Sequence, residues 1–168
     1  MSNYISYSMT FATTQTVNKQ NMKVSHPLSI LLIEDDTIER MKFHRTVSAH
    51  PLGKQVTVKE AINGEEALKI LKEENFLPNI IILDLNMPRI NGLEFLKILK
   101  NDRLLKFIPS IVMTTSSNQL DMHECYKIGI AGYVIKPLKY EDYENKVAKL
   151  ISYWSMNELV ETEDAVAK

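Results

Sequence analysis

Three acidic residues stand directly after runs of branched apolar side chains. Glu34 and Asp35 follow Ile30-Leu31-Leu32-Ile33, and Asp84 follows Ile80-Ile81-Ile82-Leu83. Thr114-Thr115 follows Ile111-Val112-Met113, and Lys136-Pro137 follows Tyr133-Val134-Ile135. Brought together, the carboxylates would repel one another when ionised and titrate high unless a cation intervened. Hard oxygen ligands beside open water positions suit Mg²⁺, which favours carboxylates together with a substrate phosphate. With the metal in place, an ionised carboxylate is a competent nucleophile toward an activated phosphoryl group, and the product is an aspartyl phosphate. The charge on the equatorial oxygens then needs donors, and Mg²⁺, the Thr114 hydroxyl and the Lys136 ammonium would supply them. No general base is required. None of His26, His44, His50 and His123 stands at the end of such a run, which argues against a histidine-based hydrolase.

Each piece alone has a plainer reading. Asp36 is a helix cap, Asp84-Leu85-Asn86-Met87-Pro88 reads as a turn closed by proline, Thr114 is a good strand residue, and Lys136-Pro137 reads as a loop. Their shared place in the chain raises them to a candidate site.

That place depends on the elements around them. Short apolar runs at Ile30–Ile33, Val56–Ala61, Ile80–Leu83, Ser110–Met113 and Gly132–Ile135 predict five strands. Amphipathic stretches lie between them, with capping-box signals at Asp36/Glu39, Asn63/Glu66 and Asn91/Glu94. A fourth helix is predicted from about Asn118 to Ile128, stopped by Gly129. A fifth carries Tyr143, Val147, Leu150, Ile151 and Trp154 on one face. Strands without polar alternation belong in a parallel sheet covered on both faces. Right-handed crossovers then give an α/β, doubly wound, five-stranded parallel sheet. Its active crevice lies beyond the carboxyl ends of the strands, where the residues above stand.

Composition excludes other classes. Of the 168 residues, Lys plus Arg number 20 and Asp plus Glu 21, so the net charge of −1 gives no bulk attraction for nucleic acid. Cys125 is the single cysteine, so no intrachain disulfide forms. The aliphatic runs are far too short to span a membrane, and a cytoplasmic location is expected. Residues 1–28 read as a flexible leader, or as upstream sequence translated ahead of a start at Met22, with no secretory or transit signal: Ser, Thr, Asn and Gln make up thirteen of the 28, and no acid is present. Residues 29–156 form the expected domain and residues 157–168 an acidic tail. Fewer than twenty residues follow Trp154, so no DNA-binding or enzymatic output domain is expected after it.

The stretches Ile30–Asp36, Ile80–Pro88 with Asn91-Gly92, Ile111–Ser116 and Gly132–Pro137 resemble the receiver domains of two-component response regulators, over about Leu28 to Trp154. The resemblance implies a flavodoxin-like sheet of order 2-1-3-4-5, in a stand-alone protein similar to chemotaxis regulators. It implies Asp84 as phosphoacceptor and Asp35 as a direct Mg²⁺ ligand, with Glu34 acting mostly through water and Asn86 offering its backbone carbonyl. Thr114 and Lys136 would hold the phosphoryl group, Thr114 and Tyr133 would switch with it, and the Lys136–Pro137 bond would be cis. The Thr114–Ser117 run and Ser152-Tyr153-Trp154 resemble single-domain regulators that partner bacteriophytochrome-type kinases.

The implied function is phosphorelay signal transduction. A sensor histidine kinase or histidine phosphotransfer protein would load Asp84, and a downstream protein would read the altered surface. Onward transfer or a phosphate sink is the other outlet. The protein would not be an enzyme in its own right, though it would promote its own phosphorylation and dephosphorylation. A homodimer through the fourth and fifth helices, or through Tyr153 and Trp154, also follows from the resemblance. The alternative is a phosphorylation-independent interaction module of the same fold. An aspartate-nucleophile phosphatase is disfavoured by Asn86, which stands where that chemistry wants a carboxylate. A flavin site is disfavoured by acids that would repel its phosphate.

Overall fold

The computed structural model describes residues 27–74 and 76–159. Five strands alternate with five helices: β1 (Leu28–Ile33), α1 (Thr37–Ala49), β2 (Val56–Ala61), α2 (Gly64–Lys72), β3 (Ile80–Leu83), α3 (Gly92–Asn101), β4 (Ser110–Thr114), α4 (Gln119–Ile128), β5 (Gly132–Ile135) and α5 (Tyr140–Trp154). The strands form one parallel sheet in the order β2-β1-β3-β4-β5. This is the doubly wound, flavodoxin-like arrangement expected from the alternating runs.

Side chains on a strand alternate between its faces, so each apolar run serves two cores. Leu31, Ile33, Ile81, Leu83 and Val112 pack toward α2, α3 and α4 with Phe95, Leu96 and Leu99. Ile30, Leu32, Ile80, Ile82, Ile111 and Met113 pack toward α1 and α5 with Phe43, Val47, Tyr143, Val147 and Ile151. All four side chains of the central strand β3 are fully buried. Burial of that kind contributes roughly 1.5–3 kcal/mol for each side chain, before the cost of ordering the chain.

The helix ends follow from local chemistry, with two adjustments. Asn91 and Glu94 complete a reciprocal capping box at α3. Asp36 caps α1 by accepting from the Ile38 and Glu39 amides, but the return bond from Glu39 does not form. The Asp36 amide is already donated to Glu34 Oε1 at 3.3 Å, and the Glu39 carboxylate pairs with Lys42 instead. At α2, Asn63 accepts from the Glu66 amide, while the Glu66 carboxylate reaches one residue further back, to the Ile62 amide. Gly129 ends α4 at φ 106°, a left-handed conformation that costs glycine little.

Leu28, the last residue of the expected leader, is 3% exposed and opens β1. Its side chain belongs to the α1/α5-side core, which overrides the polar character of the preceding segment. The rest of the expected leader, residues 1–26, and residues 160–168 of the expected tail lie outside the described residues. Trp154 packs partly buried against the α1/α5-side core, and Tyr153 stays exposed beside it. Among the described residues, no helix is long and apolar enough to cross a membrane.

Candidate functional site

The parallel ladder runs one hydrogen bond past the ends of three strands. The Glu34 amide donates to the Ala61 carbonyl at 3.0 Å, the Asp84 amide to Ile33 at 3.0 Å, and the Lys136 amide to Thr114 at 2.8 Å. Regular pairing thus delivers the first residue after β1, β3 and β5 to the same rim, at the carboxyl edge of the sheet. Glu34, Asp84, Thr114 and Lys136 are all buried there. Asp35 and Asn86 are exposed at its mouth.

Lys136 Nζ stands 2.5 Å from Glu34 Oε2 and 3.3 Å from Asp84 Oδ2. Asp84 Oδ1 accepts from the Leu85 amide at 2.6 Å and from the Asn86 amide at 3.4 Å. One oxygen of the expected phosphoacceptor is therefore anchored by the main chain, and the other faces the ammonium. Burial raises the Glu34 carboxyl above its ordinary range; its hydrogen bond with Lys136 opposes the rise, and the Asp84 charge adds to it. For Lys136, burial pulls downward, but the bond to Glu34 and the charges of Glu34 and Asp84 outweigh it, so the ammonium holds its proton above the usual lysine value. A protein cation already stands among the carboxylates whose mutual repulsion the sequence implied.

Carboxylate oxygens of Glu34, Asp35 and Asp84 all lie within 4.8 Å of one another. Three hard anionic oxygens converging at a solvent-open mouth fit Mg²⁺ or Mn²⁺ with water completing the shell. An open cleft of about 500 Å³ adjoins the mouth, lined by Asp35, Leu85, Asn86, Met87, Pro88 and Asp121 among others.

Thr114 Oγ1 accepts from the Ser116 amide at 3.3 Å. Ser116 donates its own hydroxyl to Asp121 at 2.8 Å and accepts the Tyr133 hydroxyl on its carbonyl at 3.0 Å. Thr114 and Tyr133, both expected to switch, are thus joined through one residue of the β4–α4 loop. Burial raises the Tyr133 phenol above its ordinary value, so it remains a donor.

The expected cis bond between Lys136 and Pro137 is not found, since no cis peptide occurs among the described residues. An X–Pro bond prefers trans by about 0.5–1 kcal/mol, and only tertiary packing holds the minority isomer.

Two features escaped the sequence reading. Gly92 brings α3 against the main chain of Asp84: a Cβ there would lie 2.4 Å from the Asp84 carbonyl oxygen. Arg40 donates through one guanidinium nitrogen to the carbonyls of both Glu34 and Asp35, at 2.8 and 2.9 Å. The available signal was a base within the first turns of a helix, where the macrodipole favours acids.

The response regulator receiver domain family matches residues 30–148. The chain is 31% identical over 137 residues to the "Probable methanogenesis regulatory protein FilR2" of Methanothrix harundinacea, a match covering 79% of this chain and 87% of that protein. It is 29% identical over 133 residues to the response regulator Rcp1 of a Synechocystis species, covering 76% and 89% respectively. The crystal structure of the Mn²⁺-bound form of Rcp1 superposes with a TM-score of 0.75, over 80% of this chain and 100% of that one. That of the phosphorylated cyanobacterial phytochrome response regulator RcpA, 27% identical, also gives 0.75, over 81% and 99%.

Proposed function

The chain belongs to the response regulator receiver domain family, and from that premise we propose that it accepts a phosphoryl group on Asp84 from a histidine kinase or a histidine phosphotransfer protein. The reaction requires Mg²⁺, and the phosphorylated form presents a changed surface to a protein partner. The observation that carries this reading is the buried Lys136 ammonium set between Glu34 and Asp84, with the Asp35 carboxylate completing the cluster.

An oxygen of Asp84 attacks the phosphorus of the donor phosphohistidine. The P–O bond forms as the P–N bond breaks, and the electron pair returns to the imidazole nitrogen, which is protonated from solvent. Main-chain bonds from Leu85 and Asn86 to Oδ1 orient the carboxylate for this attack. Glu34, Asp35, Asp84 and the Asn86 carbonyl would hold Mg²⁺, which offsets carboxylate repulsion and neutralises charge on the transferred oxygens. Lys136 needs only a small movement from Glu34 to meet a phosphoryl oxygen, and Thr114 donates its hydroxyl from the end of β4. Drawing Thr114 toward the phosphate pulls on Ser116, and through it on Tyr133 and Asp121, which is how charge at the rim would reach the α4–β5 surface.

On this reading the protein is a phosphoacceptor that assists its own loading and hydrolysis, not an enzyme acting on a separate substrate. Its place is the cytoplasm, where kinases draw on ATP. A second copy of the chain is a further proposed partner, through α4 and α5, where Tyr126 and Tyr153 are exposed.

Incubation with acetyl phosphate and Mg²⁺, read by intact mass, tests the proposal. A phosphate adduct is expected that Asp84→Asn and EDTA both abolish. No adduct in the wild-type chain would leave only a phosphorylation-independent module, and an adduct surviving Asp84→Asn would move the site elsewhere.

A further inference from the structure

The three clustered carboxylates are not held alike. Glu34 is bonded to Lys136 and to the Asp36 amide, and Asp84 to Lys136 and the Leu85 amide. Among the described residues, the Asp35 carboxylate accepts no hydrogen bond and is exposed, so the restraint on it comes from the main chain that carries it. That main chain has left the sheet: the last ladder bond of this strand is the Glu34 amide to Ala61. The carbonyls of Glu34 and Asp35 meet a side chain instead. Arg40 Nη1 donates to both, Nη2 donates to Thr37 Oγ1 at 3.1 Å, and Nε pairs with Glu60 Oε2 of β2 at 3.2 Å. The other Glu60 oxygen meets His44 Nε2 at 2.5 Å. The Arg40 side chain is 13% exposed. Each edge of the guanidinium is therefore in use, in a planar fork that lysine cannot reproduce. Glu60 balances its charge, which limits the repulsion a nearby arginine would exert on a bound cation.

We propose that Arg40 is a positioning residue for metal binding: it ties the Glu34–Asp35 main chain to β2 and thereby sets where the otherwise unsupported Asp35 carboxylate stands. The inference rests on the reading of the site as a metal-dependent phosphoacceptor. Arg40 touches neither the metal nor the phosphoryl group; it acts through the loop. Partners of this kind alter metal affinity by about 10–100-fold when removed.

The test is a Mn²⁺ titration of the full chain, with free Mn²⁺ followed by its electron paramagnetic resonance signal. Wild type, Arg40→Met, Arg40→Lys and Glu60→Gln are compared, with melting in EDTA as the measure of folding. Arg40→Met is expected to bind Mn²⁺ about tenfold or more weakly. Arg40→Lys should fall between, because an ammonium can meet the carbonyls but cannot also hold Glu60. In the acetyl phosphate reaction, the Mg²⁺ concentration for half-maximal rate should rise in Arg40→Met while the rate at saturating Mg²⁺ stays near wild type. Mn²⁺ binding by Arg40→Met as tight as wild type overturns the proposal, and so does a loss that saturating Mg²⁺ fails to restore. If Arg40→Met does not fold, unchanged Mn²⁺ binding in both Arg40→Lys and Glu60→Gln overturns it equally. A wild-type chain that neither binds Mn²⁺ nor forms the adduct would instead defeat the phosphoacceptor reading, and this inference with it.

Discussion

Lys136 keeps its ammonium nearer to Glu34, at 2.5 Å, than to the expected phosphoacceptor Asp84, at 3.3 Å. The lysine thus has Glu34 as its nearer partner, and on the proposed function a phosphoryl group on Asp84 would compete with Glu34 for it. The pair spans 102 positions of sequence and is almost fully excluded from water. Such pairs contribute little net stability against an apolar substitute, yet removing one member leaves a stranded charge.

Lys136→Met should therefore destabilise the metal-free protein by about 3–5 kcal/mol, and adding Glu34→Gln should return much of the loss. Denaturant unfolding in EDTA at neutral pH measures both. Equal stability of the single and double variants would show that the stranded Glu34 is not the cause. Because the folded Lys136 holds its proton above the ordinary value of 10.5, the wild-type advantage is full below that pH and fades as pH climbs through the raised value.

Gly92→Ala should disturb the site and the fold together. The added Cβ would lie 2.4 Å from the Asp84 carbonyl and 2.7 Å from Leu85 Cα, both backbone atoms that yield only by moving the loop. A loss of about 1–3 kcal/mol is expected from the overpacking, with slower adduct formation from acetyl phosphate. A variant with wild-type melting and wild-type rate would contradict the close approach.

His50 should make the protein acid-sensitive. Its Nδ1 accepts the Leu52 amide at 3.1 Å, so the ring proton sits on Nε2, which meets Ser152 Oγ of α5 at 3.0 Å. Burial holds its pKa below the usual 6.5. A lowered folded value means that the unfolded chain binds the extra proton first. The contribution is thus present above pH 6.5 and lost as pH falls through the folded value. The pH dependence of unfolding should show this slope in wild type and a shallower one in His50→Gln; identical slopes would remove His50 as its source.

Cys125 should be inert in the native protein. It is fully buried, and burial pushes its thiol up to about 11. Thiolate is the reactive form, so iodoacetamide at pH 8 should label the cysteine only after denaturant is added. Rapid labelling of the folded chain would show that the α4 side opens far more readily than its packing implies.

Much of the fold was legible because its signals are local. The short branched run Ile80–Leu83 favoured a strand covered on both faces, and Gly129 favoured a helix stop, because glycine takes the left-handed φ found there at little cost. The ends of these runs marked the rim, because a parallel sheet puts the carboxyl ends of its strands on one edge. The return bond of the Asp36 capping box was not legible, because it depended on Glu34 occupying the Asp36 amide first. The Pro137 isomer was not legible either, because an X–Pro bond is only weakly biased and tertiary context decides it.

The order of residues alone determined the alternation of elements, the two-sided sheet and the convergence of Glu34, Asp35, Asp84, Thr114 and Lys136. The elements follow from backbone preference and apolar periodicity, which act over a few neighbours, and the convergence follows from the one rim that a parallel sheet gives the carboxyl ends of its strands. Tertiary structure alone decided that Lys136 pairs first with Glu34, that Arg40 grips two carbonyls while reaching β2, and that Ser116 joins Thr114 to Tyr133. These are choices among several oppositely charged or hydrogen-bonding groups of similar reach. Strand register and side-chain packing, accurate to a fraction of an ångström, determine which of them meet.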